Sequence, residues 1–279
     1  MFVDPPFLTG AGFLDIGLTP IEPAAVFTPA VQSSAHYQNK IALKQSHGFD
    51  VVSQSLPESY AAQRSLAEFM RGEGLEVPGA ETCGSGQILW ELSLSVCEDI
   101  CILLPGGDSH YLAAASLCAP SGWSLQGSLG KRLEYLHAPV PDLNAAMAGT
   151  IKRLLDRLSH QKIFTRGNWA IKSHPELAIF PDNVSVRASA NGAGTDMEAF
   201  ESLYLRVERQ CLFKLPVDDA IVFSILVTIE PVDDFLLRTN AHSALLEALR
   251  ALTQEQLAYK GMTAIADALG ERLLDVINR

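Results

Sequence analysis

Cysteines are few in this chain, and their pattern argues against a protein held together by disulfides. The 279 residues contain five cysteines, an odd number scattered through apolar sequence: Cys83, Cys97, Cys101, Cys118 and Cys211. Disulfide-dependent secreted domains carry an even and dense set of cysteines. Cys97 and Cys101 would share one face of a helix, and we interpret them as small core residues.

Positive charge is also scarce. Lys and Arg total 21 against 32 Asp and Glu, which gives a formal net charge of −11, and no basic tract is present. Nucleic acids and anionic membranes attract clustered cations, so neither is expected as a partner. Long apolar runs that could cross a bilayer, a basic leader and a cleavage pattern are missing too. We therefore expect a cytoplasmic protein.

Apolar residues are plentiful, at 48% of the sequence, which is enough for a substantial core. Turn residues and short apolar runs predict strands at 99–104, 111–118, 166–171, 203–211 and 220–229, the first two joined by the turn 105–108. Helical spacing predicts helices from about 58 to 72, and at 143–158, 243–258 and 263–277. These elements indicate an α+β fold.

Two regions lack such periodicity. Residues 1–57 are broken up by prolines, so we expect them to wrap around the surface of the core. Residues 181–195 are rich in Ser, Asn, Gly and Ala, which predicts a loop long enough to act as a lid. No internal repeat or flexible linker divides the chain, and we expect a single domain over residues 1–279.

His137 is the first candidate for chemistry. It ends a short predicted helix, and Pro139 and Pro141 prevent that helix from continuing. A histidine held in this way has a fixed direction, which metal binding requires. The alternative is a structural histidine that makes one backbone hydrogen bond, and for an arbitrary histidine that alternative is favoured.

The strand at 203–211 is the second candidate, because one of its faces is polar throughout. A period of two places Tyr204, Arg206, Glu208 and Gln210 on one face, with Leu205, Val207 and Cys211 on the other. Such a face either lines a pocket or is an exposed surface paired by cross-strand charges.

Four blocks of sequence resemble a known family. They are PSGW, LGKRL and LHAPVP within 119–141, RGNWAI at 166–171, LYLRVERQCLFKLPVDDAIVFSI at 203–225, and AYKG at 258–261. In this order and spacing they resemble the haem-dependent oxidative N-demethylase family, from about Gly17 onward. The resemblance implies a PAS-like fold with a central antiparallel sheet at about 97–232. N-terminal segments (1–96) and C-terminal helices (240–279) would flank this sheet.

The resemblance also implies haem b, with His137 as the axial ligand of the iron. His110 and His174 are rival ligands that we rank below it. Lys131 and Arg132 are expected to bind the haem propionates, and a solvated helix face is an equal alternative for them. Trp123 and Trp169 are candidates for contact with the haem edge, although indole rings are more often core residues.

For activity, the resemblance implies the haem subunit of a monooxygenase that demethylates a small secondary amine such as dimethylamine. Glu208 would bind the ammonium group and take its proton. Arg206 would keep Glu208 ionised or position a propionate, and Tyr204 would donate a hydrogen bond to the bound oxygen.

Electrons for this reaction must come from elsewhere. The chain shows neither a Rossmann glycine fingerprint nor an iron–sulfur set of cysteines. We therefore expect NADPH, flavin and an iron–sulfur cluster on separate reductase subunits, a folate-binding subunit that captures formaldehyde, and an oligomeric assembly. Two other functions stay open. One is a sensor that binds haem or a small ligand without turnover, although sensors usually need an output domain and the sequence shows none. The other is a scaffold that binds no haem.

Overall fold

One antiparallel sheet organises the computed structural model, which describes residues 2–77, 79, 82–181 and 203–279. Its strands are Thr19–Ile21 (β1), Ser53–Ser55 (β2), Asp99–Gly106 (β3), Ser109–Ser116 (β4), Ile163–Lys172 (β5), Tyr204–Lys214 (β6) and Ile221–Pro231 (β7). They lie in the order β1-β5-β6-β7-β3-β4-β2. All five predicted strands are present, so the predicted α+β class is confirmed.

The hairpin of β3 and β4 forms where the turn residues predicted it. Both strands run further than expected, so that only Gly107 and Asp108 remain between Gly106 and Ser109. Gly107 has a φ of 71°, in the left-handed region that suits glycine and that a two-residue hairpin turn requires.

Helices precede, interrupt and follow the sheet. In the described part of the chain they are Ala35–His47 (α1), Phe49–Val52 (α2), Tyr60–Gly72 (α3), Ile88–Leu94 (α4), Leu125–Ser128 (α5), Leu133–His137 (α6), Leu143–Arg157 (α7), Val232–Thr239 (α8), His242–Arg250 (α9), Gln254–Lys260 (α10) and Ala266–Ile277 (α11). The predicted helices that begin near residue 58 and at 143 correspond to α3 and α7.

Helix α1 corrects the expectation that residues 1–57 hold no long regular element. Its only fully buried residue is Lys40, so it presents no apolar stripe by which the sequence could have revealed it. Lys40 Nζ donates to the carbonyl oxygens of Ser93, Val96 and Glu98 at 2.7, 2.9 and 2.7 Å. A buried ammonium group is thus one of the contacts that hold this helix to the rest of the protein, beside the hydrogen bond from Asn39 to the carbonyl oxygen of Cys118.

The helix predicted at 243–258 is two helices. Helix α9 ends at Arg250, and α10 starts after Thr253, whose side chain accepts a hydrogen bond from the backbone N–H of Gln256. In turn, Oε1 of Gln256 accepts a hydrogen bond from the backbone N–H of Thr253. This capping box gives α10 its own start and explains the break.

The two faces of the sheet are covered by different helices. Helices α3 and α4 and the C-terminal helices pack on one face. Helices α5, α6 and α7, which connect β4 to β5, pack on the other face and share an apolar cluster with Leu112 and Leu212. The polar residues of β6 lie on this second face, because Leu212 alternates with Gln210, Glu208 and Arg206.

Three further expectations can be compared with the structure. The five cysteines are all free thiols. Among the described residues, no helix is long and apolar enough to cross a membrane. The loop predicted at 181–195 falls, apart from Pro181, outside the described residues.

Gly167→Ala is expected to destabilise the protein by about 1–3 kcal/mol, because an added methyl group would overpack a close contact. A Cβ at this position of β5 would lie 2.9 Å from Cδ of Pro6, in the N-terminal 3-10 helix Pro6–Thr9. Urea-induced unfolding measures the loss. The control is Gly72→Ala at the end of α3, where a Cβ would meet nothing within 4 Å. Equal stability of both variants would contradict the expected clash.

Candidate functional site

A row of polar side chains crosses β5 and β6 on the face that carries α5–α7. The strands pair in unbroken register, so Arg166 lies opposite Gln210, Asn168 opposite Glu208, and Lys172 opposite Tyr204. The pairing of β6 with β7 is also continuous, which confirms the predicted alternation along β6. We call the side chains of Arg166, Asn168, Lys172, Arg206, Glu208 and Gln210 the polar row.

Glu208 lies at the centre of the polar row and is 12% exposed. Its Oε2 accepts hydrogen bonds from Gln210 Nε2 at 3.0 Å and from Asn168 Nδ2 at 3.3 Å. Its Oε1 lies 3.6 Å from Nε of Arg206. Three neighbours therefore fix the direction of this carboxylate, so a group that interacts with it meets a preorganised acceptor.

Arg206 faces inward. Its side chain is 1% exposed, and its terminal nitrogens donate to the carbonyl oxygens of Leu177 at 2.8 Å and Ala119 at 2.6 Å. Burial lowers the pKa of the guanidinium, while the negative charges of Glu208 and Asp99 oppose that change. Arg206 thus orients Glu208 and ties two loops to the sheet.

The end of α10 covers the edge of β5 where that strand has no neighbouring strand. Lys260 Nζ donates to Oδ1 of Asn168 at 3.0 Å and to the carbonyl oxygen of Trp169 at 2.5 Å. Lys172 Nζ donates to the carbonyl oxygen of Lys260 at 2.6 Å. Burial lowers the pKa of both lysines to about 8. Lys260 thus satisfies part of an unpaired strand edge and adds positive charge beside Glu208.

Arg166 connects the polar row to His137. Burial, and after it the positive charge of Arg166, lowers the pKa of the His137 imidazole, and Glu134 opposes this. A lowered pKa favours the neutral imidazole, the form that binds a metal. Burial and the charge of Glu208 raise the pKa of Tyr259, and Arg166 opposes this change. His137, Arg166, Tyr259 and Glu208 are therefore electrostatic neighbours.

His137 also lines a cavity of about 10 Å³ between α6, α7 and β4, about enough for one water molecule. The buried His110 lines the same cavity. Ser109 Oγ donates to Oε1 of Glu134 in its wall at 2.7 Å. Of the two rival ligands, His110 is thus near His137, whereas His174 contacts the carboxylate of Glu176.

Other predicted cofactor contacts lie away from the polar row. Arg132 is exposed and bonds Asp108 at 2.6 Å, and Lys131 is exposed with Nζ 5.4 Å from the centre of the Tyr135 ring. Trp123 packs with the apolar cluster under α5–α7. Trp169 belongs to the core on the opposite face of the sheet.

Several residues at the site were not among the predicted site residues. Arg166, Asn168, Lys172, Tyr259 and Lys260 surround Glu208 from β5 and α10. A signal for four of them was present, because they belong to the blocks RGNWAI and AYKG. The fifth, Lys172, directly follows the first of these blocks. The blocks that carry the resemblance therefore meet in space.

No group of three or more His, Cys, Asp or Glu side chains that could hold a metal ion occurs in the described ranges. Haem iron takes only one or two ligands from the protein, because the haem supplies the others. It therefore does not require such a group of side chains. His137 and the apolar side chains beside it supply the kinds of group that haem takes from a protein, and the cavity at His137 in this structure has room for about one water molecule.

The chain matches the model of a protein family. The model described as haem-dependent oxidative N-demethylase, alpha subunit-like, matches residues 71–270. This range covers more than half of the chain and contains β3–β7, His137 and the whole polar row. The resemblance seen in the four sequence blocks is thereby confirmed.

Lys260→Met is expected to alter how stability depends on pH. Between a folded pKa of about 8 and the ordinary value of 10.5, the unfolded state binds more protons, so this lysine makes unfolding free energy rise with pH, by about 1.4 kcal/mol per pH unit. Below pH 8 the full cost of the buried charge is present. The variant lacks the increase in unfolding free energy that Lys260 contributes as pH rises. The unfolding free energy of the variant minus that of wild type should therefore fall steadily from about pH 8 to 10.

Urea-induced unfolding over this pH range measures the effect. Lys162→Met, which alters an exposed lysine, is the control and should differ from wild type by a constant amount. A constant difference for Lys260→Met as well would contradict the lowered pKa.

Proposed function

Because this chain belongs to the haem-dependent oxidative N-demethylase alpha subunit-like family, we propose that it is the haem-carrying subunit of a monooxygenase. Its substrate would be a small secondary amine such as dimethylamine. The observation that carries the proposal is the meeting of separate sequence blocks at one place. They bring the half-buried His137 within the electrostatic influence of Arg166, and Arg166 within that of a fixed carboxylate, Glu208.

His137 is the proposed axial ligand of haem b. It ends α6, its neutral form is favoured, and the apolar side chains of Leu133 and Leu136 on α6 and of Phe164 and Phe223 on the sheet share one cluster. These features match what a haem requires of a protein, an imidazole and an apolar wall. Haem, when bound, supplies the activation of dioxygen.

The PAS-like description of the fold is part of the proposal. The five long strands lie in the order β4-β3-β7-β6-β5, with both hairpin pairs antiparallel and α5–α7 inserted between β4 and β5 on one face. This arrangement supports a PAS-like core at about residues 97–232. The N-terminal 3-10 helix and α10 both contact β5, which supports one domain over the whole chain.

The proposed reaction inserts one oxygen atom of dioxygen into a methyl C–H bond and releases the other as water, using two electrons and two protons. The resulting carbinolamine loses its hydroxyl proton, its C–N bond breaks, and formaldehyde and the shorter amine leave. Glu208 would take the proton of the substrate ammonium and later move the hydroxyl proton to the leaving nitrogen. Arg206, Asn168 and Gln210 hold its carboxylate in place for both steps.

Tyr204 and the partner subunits complete the proposal. Tyr204 lies at the end of the polar row, opposite Lys172, and would donate a hydrogen bond to dioxygen. An alpha subunit-like family indicates an enzyme of several subunits. We propose that NADPH, flavin and an iron–sulfur cluster reside on reductase subunits, that a folate-binding subunit accepts formaldehyde, and that the assembly is cytoplasmic.

A second candidate is a haem-binding protein without turnover. It is favoured by the extent to which Glu208 is already engaged, since Arg206, Asn168 and Gln210 all contact its carboxylate. A carboxylate held in this way also suits a purely structural role. Formaldehyde release by the wild-type protein therefore separates the two candidates, and the Glu208 variant tests the role of this carboxylate.

His137→Ala is expected to abolish haem binding, because the axial ligand is removed. The measurement is the Soret absorption of protein titrated with haem, in ferric and ferrous form and with dimethylamine added. His160→Ala, which alters an exposed histidine, is the matched control and should bind haem as wild type does. Loss of the Soret band in His110→Ala, with His137→Ala unaffected, would assign the ligand to His110.

Glu208→Gln is expected to keep haem and to lose turnover, because the amide preserves shape but cannot accept a proton. Formaldehyde release from dimethylamine, with a competent reductase, should fall by about 100-fold or more. Glu271→Gln, at an exposed position of α11, serves as the control. Unchanged turnover in Glu208→Gln would leave this residue a structural role, and no release by wild type would reject the demethylase proposal.

A further inference from the structure

Arg166, which is half-buried, differs from the buried cations of this protein. Lys40 donates to three carbonyl oxygens, and Arg206 to two, with Glu208 nearby. Arg166 makes one long hydrogen bond, from its NH2 group to the carbonyl oxygen of Asp15 at 3.4 Å. Its Nε is buried without an acceptor among the described residues, as is Nε of Arg206, but the terminal nitrogens of Arg206 have close acceptors and those of Arg166 do not. A guanidinium in this state has most of its five donors free for a ligand.

The charge around Arg166 points to an anion. Four cations of the site, Arg166, Lys172, Arg206 and Lys260, accompany two carboxylates, Glu208 and Asp99, and the charges of both carboxylates act on Arg206. The lysines donate to oxygen atoms of the protein, so Arg166 is the cation left to be matched. Leaving a buried charge unmatched is unfavourable.

We propose that Arg166 binds a carboxylate and, resting on the proposed function, that this carboxylate is a propionate of haem. The planar guanidinium suits a carboxylate because both can form two parallel hydrogen bonds. Arg166 also lies near enough to His137 for its charge to act on the imidazole. It would take the role that adjacency in the sequence gave to Lys131 and Arg132, of which Arg132 is already paired with Asp108.

The test is a titration of haem into wild type, Arg166→Met, Arg166→Lys and Arg132→Met, followed by absorbance. Arg166→Met should bind haem about tenfold more weakly or worse, because a charge-assisted bidentate contact is lost. Arg166→Lys should recover part of the affinity, and Arg132→Met should match wild type. A second titration uses the dimethyl ester of haem, which carries no carboxylate, and there wild type and Arg166→Met should bind equally.

Thermal unfolding of the haem-free proteins distinguishes a ligand contact from a structural role. Removing an unmatched buried charge should leave the unfolding temperature of Arg166→Met unchanged or higher than that of wild type. A lower unfolding temperature, together with equally weakened binding of haem and its ester, would overturn the proposal, because Arg166 would then support the fold.

Two further outcomes identify what fails. If Arg166→Met binds haem normally but N-methylglycine no longer shifts its spectrum, the carboxylate comes from the substrate and the propionate assignment is overturned. If Arg132→Met loses haem and Arg166→Met does not, Arg166 is excluded. A wild-type protein that takes up no haem would overturn the proposed function together with this inference, whereas the other failures leave the proposed function standing.

Discussion

The buried guanidinium of Arg206 is the interaction on which the site depends. A charge with 1% exposure persists only if its surroundings supply matched partners. Those partners are the carbonyl oxygens of Ala119 and Leu177 and the carboxylate of Glu208. Asp99 fixes the first of these loops by accepting from the N–H groups of Cys118 and Ala119. Arg206 thereby holds in place the loop after β4, the loop after β5 and the side chain of Glu208.

A second constraint acts at the edge of the sheet. Strand β1 pairs with β5 only as far as Thr165, so the remaining backbone of β5 needs other cover. Pro6 packs on Gly167, Met262 Sδ accepts from the N–H of Ile171, and Lys260 bonds the carbonyl of Trp169. The N-terminal segment around Pro6 and the C-terminal segment around Lys260 therefore cover the edge of β5, the strand that carries Arg166. For this reason, segments outside the five long strands belong to the site.

Sequence alone predicts the features that depend on local pattern. The period of two along β6 predicts its polar face, and the glycines predict the hairpin of β3 and β4. Helix α1 escapes prediction because much of its attachment is polar, through Lys40 and Asn39, and it has no continuous apolar stripe. The neighbourhood of Glu208 escapes it because strand register brings Asn168 beside it and α10 brings Lys260. Adjacency to His137 points to Arg132, which in this structure pairs with Asp108, and its predicted contact with a propionate stays a prediction.

The surplus of positive charge also bears on how an amine could reach Glu208. Arg166, Lys172 and Lys260 all lie near this carboxylate, and a protonated amine approaching it would be repelled by them. A carboxylate bound at Arg166 removes part of this repulsion before the amine arrives. Glu208, already oriented by its three neighbours, would then face a less positive site. Under the proposal that Arg166 binds a carboxylate of haem, these charges would disfavour an ammonium group in the cofactor-free protein and would tolerate it once the cofactor is bound. We therefore expect the cofactor to bind first and the amine second.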